Sequence, residues 1–212
     1  MQTIGQFTQQ YRMTIQKDSP ALADYPAVEV ARPVSEFFAS FEANSNTQRL
    51  ALAAVIDWTK QTANGECAGL VLWSTRYGVG KTHLARCAHE ALGWAGKRGT
   101  FATAPDWLEN IKATYNDGGG TERDLFRQWE GGYFAMDDYG KQYQAGSGEW
   151  AQEKFFKLMD KCYGRQSLMI TSNSKPDEMR LSLGGAAWSR LYGMCHDAGF
   201  VNMSDLPDWR AR

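Results

Sequence analysis

The sequence predicts an α/β protein in which a parallel sheet is covered by helices on both faces. Three observations lead there. Segments near residues 69–73, 100–103, 133–137, 168–171 and 200–203 are apolar along most of their length, as strands buried on both faces are. Stretches with apolar residues three and four apart separate them, so strands and helices alternate. Between the first strand and its helix stands Ser74-Thr75-Arg76-Tyr77-Gly78-Val79-Gly80-Lys81-Thr82, a loop with two glycines that runs into Lys-Thr.

Residues 1–34 precede this alternation and 35–212 carry it. Ile4, Phe7, Tyr11 and Ile15 lie on one side of a possible helix over residues 1–17, which Asp18-Ser19-Pro20 ends. The stripe fits equally a face packed on the chain's own domain and a docking arm for a partner. Pro20, Pro26 and Pro33 mark residues 18–34 as an extended linker. Ser35 is expected to cap a short helix with Phe37, Phe38 and Phe41, and Thr47 a longer one through Leu50, Ala54 and Trp58.

After the first strand, a helix is expected to reach Leu92, with Gly93 as its C-cap. Pro105 opens the helix behind the second strand, with Trp107, Leu108, Ile111 and Tyr115 as its apolar face. Gly118-Gly119-Gly120 breaks the chain before Thr121-x-x-Asp124, which resembles a capping box ahead of Leu125, Phe126 and Trp129. A helix over 149–163, a turn opened by Pro176 and a last helix over 186–195 follow.

The 212 residues carry a net charge of −1, so no global positive field advertises nucleic acid, and any such contact needs a local patch. Cys67, Cys87, Cys162 and Cys195 are widely spaced, which fits reduced thiols rather than a zinc site or disulfide frame. The N-terminus lacks a signal-peptide layout and no run reaches transmembrane length, so a soluble cytoplasmic protein without membrane contact is expected.

The chemistry concentrates in two places. Gly78 and Gly80 let the loop curl so that successive N–H groups and the helix N-terminus converge on one anion. Lys81 is then placed to reach the β- and γ-phosphates of a nucleotide, and the Thr82 hydroxyl to ligate Mg²⁺. The second place is Tyr133-Phe134-Ala135-Met136-Asp137-Asp138, an apolar strand ending in two carboxylates. At the C-terminal end of a parallel strand such groups face the ligand crevice, with Asp137 for the metal and Asp138 for the attacking water. Asn173 closes the fourth strand and is placed to touch the γ-phosphate or orient water.

With Phe38-Ala39-Ser40-Phe41-Glu42, GVGKTHLA, Met136-Asp137-Asp138-Tyr139-Gly140, Ile170-Thr171-Ser172-Asn173, Ser189-Arg190-Leu191 and Asp208-Trp209-Arg210 in this order, residues 36–212 resemble the helicase-loader branch of the AAA+ ATPases. That branch holds the DnaC and DnaI loaders and the IstB transposition helpers. The resemblance implies a P-loop AAA+ core with a five-stranded parallel sheet in order 5-1-4-3-2, preceded here by a short N-terminal helical arm. It implies ATP or ADP with Mg²⁺ at Thr82 and Asp137, and nucleotide contacts from Tyr77, Gly78, Val79, Gly80, Lys81, Thr82, His83 and Arg210. Asp138, Asn173 as sensor 1, and Arg190 as an arginine finger acting on a neighbouring subunit's ATP are the implied catalytic residues.

The implied partners are a replicative DNA helicase (a transposase for the transposition helpers), single-stranded DNA and further copies of the chain. Residues 104–130 stand where family members contact single-stranded DNA, with Lys112, Arg123, Arg127, Tyr115 and Trp129 as candidates. The chain departs from the pattern at Thr75, which replaces the first P-loop glycine, and at Lys161-Cys162-Tyr163, where relatives commonly carry Arg before Tyr. An ATP-controlled loader of a replicative helicase is the leading reading and a transposition helper the alternative. A small-molecule P-loop kinase and a nucleotide-dependent binding module without useful turnover are the readings outside that family. The kinase has no use for the Asn173 and Arg190 pair.

Overall fold

A computed structural model describes residues 33–115, 121–127, 132–140 and 148–211. The expected helix over 1–17 lies outside them, as do nearly all of the linker, the glycine break and Trp129. The strands are β1 (Gly69–Trp73), β2 (Gly99–Thr103), β3 (Tyr133–Tyr139), β4 (Ser167–Ser172) and β5 (Phe200–Asn202). They form one sheet in the order β2-β3-β4-β1-β5, and every pairing is parallel. This is the expected 5-1-4-3-2 order.

The helices are α1 (Asn46–Ala63), α2 (Lys81–Trp94), α3 (Ala104–Ala113), α4 (Glu122–Arg127), α5 (Gly148–Cys162), α6 (Pro176–Leu183) and α7 (Gly185–Cys195). Neighbouring residues of each strand feed opposite cores, which is why the strands read as continuous apolar runs. Val71, Phe134, Met136, Leu168 and Ile170 pack toward α3, α5 and α7, with Trp107, Phe155 and Leu191. Leu70, Leu72, Ala135 and Met169 pack toward α1 and α2, with Val55, Leu84 and Phe38. At about 1.5–3 kcal/mol per buried large apolar side chain, these two cores supply most of the driving force for the fold.

Several boundaries differ from expectation for local reasons. Ser45, not Thr47, caps α1: its hydroxyl accepts from the Gln48 N–H at 3.1 Å and the Gln48 side chain accepts from the Ser45 N–H at 2.7 Å. Gln48 sits at the third helical position only for a cap at Ser45. Thr47 instead donates to Asp205 at 2.7 Å, joining α1 to the C-terminal tail. The segment Val34–Phe38 is a 3-10 turn that begins after Pro33, so Ser35 lies inside it and caps nothing.

Helix α2 passes through Gly93 to Trp94 and is closed by the Lys97 N–H on the Leu92 carbonyl at 2.9 Å. Thr103 caps α3 one residue ahead of expectation. Tyr115 stands beyond that helix, 53% exposed, rather than on its apolar face. The Thr121–Asp124 capping box is present, with N–H to side-chain bonds of 3.0 and 3.2 Å.

Candidate functional site

The loop after β1 is built by its own side chains. Ser74 Oγ accepts from the Arg76 N–H at 2.9 Å and donates to the Arg76 carbonyl at 3.0 Å, which closes a tight turn. The Thr75 N–H donates to Ser204 Oγ at 3.2 Å. Among the described residues only Asp138 and His196 are non-glycines with positive φ, so Thr75 occupies ordinary backbone and its Cβ causes no strain.

Gly78 and Gly80 have φ of +68° and +97°, in the left-handed region. Space matters at both positions as well. A Cβ on Gly78 would run into the Asp208 carboxylate, and one on Gly80 would lie 2.9 Å from the Phe41 ring. The C-terminal tail and the segment before α1 thus both close on the loop, the tail pinned by the Trp209 N–H on the Gly78 carbonyl at 3.1 Å.

No side chain caps the start of α2, so its first-turn N–H groups face the cleft beside the loop. Lys81 is 6% exposed, and its Nζ donates to the Arg76 carbonyl at 3.2 Å and to Asn173 Oδ1 at 2.8 Å. Consecutive strand residues normally point to opposite faces, yet both Asp137 and Asp138 serve this end of the sheet. A register shift against β4 explains how: Met136 pairs with Ile170 and Tyr139 with Ser172, so β3 carries one extra residue there. Asp138 absorbs the bulge with φ +56°.

Asp137, 3% exposed, accepts from Thr82 Oγ1 at 2.9 Å and from Thr171 Oγ1 in a short hydrogen bond. The Thr171 hydroxyl in turn accepts the Asp138 N–H at 3.0 Å, and Asn173 Nδ2 reaches Asp138 Oδ1 at 3.4 Å. The ends of β3 and β4, the loop after β1 and the start of α2 are thereby tied into one polar network.

This network borders a cleft of ≈300 Å³ lined by residues 77–83, Asp138, Asn173 and Arg210. Of the residues singled out for nucleotide contact and catalysis, all but Arg190 meet there. Thr82 and Asp137 put two oxygen ligands together at its inner edge, the donor type that Mg²⁺ takes. No cluster of three or more His, Cys, Asp or Glu occurs among the described residues, so a bound ion there would complete its shell with ligand oxygens or water. The opposite wall holds Ser40, Phe41, Glu42 and Trp209, which sequence reasoning assigned no role. Ser40 Oγ lies 2.9 Å from His83 Nε2, whose ring stacks on Phe41 at 6.4 Å between centroids. These residues lie within the Phe38–Glu42 and Asp208–Arg210 stretches, so the signal was a motif without a chemical role attached.

Arg190 lies on α7, outside the cleft lining. Its Nε and one terminal nitrogen each reach Asp160 Oδ1 at 2.9 Å, the other terminal nitrogen donates to the Ala186 carbonyl at 3.1 Å, and the guanidinium sits 4.7 Å from the Phe156 ring centre. Of the candidates for single-stranded DNA, Lys112, Tyr115 and Arg123 are all exposed; Lys112 lies over the Trp150 ring at 5.1 Å and the Tyr115 hydroxyl donates to Glu122 at 2.7 Å. The side chain of Arg127 is outside the described residues.

Glu122 anchors α4 to α5 through Lys154 at 2.8 Å and Lys157 at 3.0 Å. Burial pushes its carboxyl up, but the hydrogen bonds from Lys154, Tyr115 and Lys157 outweigh burial and hold it at about 2.

Residues 14–203 match the family described as IstB-like ATP binding protein. Among solved structures, the DnaC helicase loader superposes with a TM-score of 0.65 at 20% identity, over 78% of this chain and 94% of that one. DnaI superposes with a TM-score of 0.63 at 14% identity, over 84% and 93%. The replication initiator DnaA bound to AMPPCP and single-stranded DNA gives 0.62 at 20% identity over 76% of this chain, which spans only 47% of that longer one. At these identities the structures share the fold. No match is found among curated protein sequences.

Proposed function

We propose, for a chain that belongs to the IstB-like ATP binding protein family, that it is an ATPase that loads a replicative helicase onto single-stranded DNA, with ATP binding and slow hydrolysis as its switch. The observation that carries this reading is the network of Lys81, Asn173, Asp138, Thr171, Asp137 and Thr82 around the cleft. It supplies a cation for phosphate, a carboxylate for water and a polar group between them, each held before any ligand arrives.

The nucleotide's β- and γ-phosphates bind the loop N–H groups and the N-terminus of α2, and Lys81 exchanges Asn173 Oδ1 for a phosphate oxygen. Thr82 and Asp137 would hold Mg²⁺, which would supply neutralisation of phosphate charge. Asp138 orients a water against the γ-phosphorus and accepts its proton as the bond to the β–γ bridging oxygen breaks. Asn173, bonded to Asp138, fixes that carboxylate and reports the state of the phosphate to β4. Arg190, held on Asp160 outside its own cleft, is presented to the ATP of a neighbouring copy and stabilises the charge that develops there.

The second reading, an ATPase that assists transposition, is favoured by the family match over residues 14–203. Reconstitution separates the two. The purified chain, ATP and circular single-stranded DNA are combined with the replicative helicase, or with a transposase, from the same genome. Helicase loading that needs ATP and is lost in Lys81→Ala supports the loader. Stimulation of the transposase alone establishes the transposition helper, and no effect on either overturns both.

A further inference from the structure

We propose that the N-terminal edge of the sheet, the edge opposite the nucleotide cleft, binds phosphate groups of a nucleic-acid strand through Lys97, Arg98 and Arg165. The identity of the occupant rests on the DNA-handling reading above; the site itself rests on geometry.

A cavity of ≈130 Å³ opens where the loops leading into β1, β2 and β4 come together. Lys97 and Arg98 immediately precede β2, and Arg165 stands two residues ahead of β4. Sequence separates them by almost seventy positions, but β2, β3 and β4 are neighbours in the sheet, so the loops converge.

All three side chains are exposed, and none makes an ion pair or side-chain hydrogen bond with a described residue. Glu66 is the one acidic residue lining the cavity, so the lining carries three positive charges and one negative, a local surplus in a chain of net charge −1. On the cavity wall, Thr62 is 7% exposed and its hydroxyl is buried without a hydrogen-bond partner. Such an orphan costs about 1–3 kcal/mol unless something satisfies it.

Helices α1, α2 and α5 end at this edge, and their carbonyl dipoles account for cations being tolerated there. Dipoles do not account for three unpaired cations around one cavity with an unsatisfied donor in its wall. Phosphodiester oxygens do account for the cations: they accept from Lys and from Arg in bidentate fashion, and a flexible strand reaches a rim of exposed side chains. In the insert expected to contact DNA, Lys112 lies over the Trp150 ring and the Tyr115 hydroxyl donates to Glu122, whereas the three cations of this edge carry no such contact.

Anisotropy of fluorescein-labelled oligo-dT, titrated with the full chain and a non-hydrolysable ATP analogue across a salt series, tests the site. A triple variant, Lys97→Gln with Arg98→Gln and Arg165→Gln, is expected to bind at least about tenfold more weakly and to lose about 2 from the slope of log K against log salt, near 0.7 per phosphate contact. Binding of a fluorescent ADP, at the opposite edge, reports that the variant is folded. If it is not, Arg165→Gln alone is read the same way, with a slope change of about 0.7. Unchanged affinity and slope overturn the site while leaving a DNA-handling role intact. A wild-type chain that binds no strand overturns both. Displacement of the strand by inorganic phosphate at matched ionic strength marks a free-anion site and overturns the assignment to a strand.

Discussion

The two edges of the sheet treat charge in opposite ways. At the C-terminal edge the buried Lys81 and Asp137 and the half-buried Asp138 are tied by side-chain bonds, Lys81 to Asn173, Asp137 to Thr82 and Thr171, Asp138 to Asn173. At the N-terminal edge Lys97, Arg98 and Arg165 stand exposed with no side-chain partner among the described residues. Bond-breaking needs groups fixed before the substrate arrives, since reorganising them during the reaction raises the barrier. Contact with a polymer backbone needs long cationic side chains that adapt to whichever phosphate comes near. Under the proposed function, the contrast separates a site for chemistry from a surface for attachment.

The largest effect expected at the fixed edge is from Asp138→Asn, which keeps the shape and removes the proton acceptor. Turnover falls about 10³-fold with nucleotide affinity unchanged, measured by phosphate release beside fluorescent-nucleotide titration. Normal hydrolysis by this variant would remove Asp138 from the role of base. Lys81→Ala comes next and acts on binding, with nucleotide affinity down at least about a hundredfold, or about 2.8 kcal/mol.

Thr171→Val tests whether the network, rather than its end members, does the positioning. It deletes the donor to Asp137 and the acceptor for the Asp138 N–H without changing volume much. Turnover is expected to fall about tenfold and stability by about 1–3 kcal/mol. An effect on stability alone would make Thr171 structural.

The smallest effect lies away from both edges, at Glu122, where a paired charge serves packing only. Its carboxyl is held at about 2 against an ordinary 4.5, so its contribution is fully present above pH 4.5 and is lost as pH falls toward 2. Glu122→Gln should lower stability by about 1–2 kcal/mol at pH 7 and flatten the acid limb of the stability curve, read by denaturant unfolding at several pH values. A variant with the wild-type acid limb would show that the Lys154 pair does not fasten α4.

Most of the architecture was legible because each strand is buried on both sides, which writes itself as apolar runs, and because loop, carboxylate pair and Asn173 follow in order. What escaped is what depends on neighbours distant in sequence. Ser45 and Thr47 are both competent caps, and the reach of Gln48 decides between them. Adjacent aspartates at a strand end do not reveal the bulge that brings both to one site, since register belongs to the pair of strands. Tyr115 read as apolar, but its hydroxyl is drawn out to Glu122. The cationic edge is assembled from loops that only the strand order makes adjacent.

The central claim is an ATPase site completed between copies of the chain, with Arg190 serving a neighbour's nucleotide. Mixing two variants expected to be inactive tests it most directly: Lys81→Ala, weakened in nucleotide binding but keeping Arg190, and Arg190→Ala, keeping Lys81 but lacking the arginine. Turnover should reappear in the mixture, and wild-type activity per subunit should rise with protein concentration. A mixture as inactive as its parts, with wild-type activity flat across the dilution range in which the protein passes from monomer to oligomer, would contradict the account.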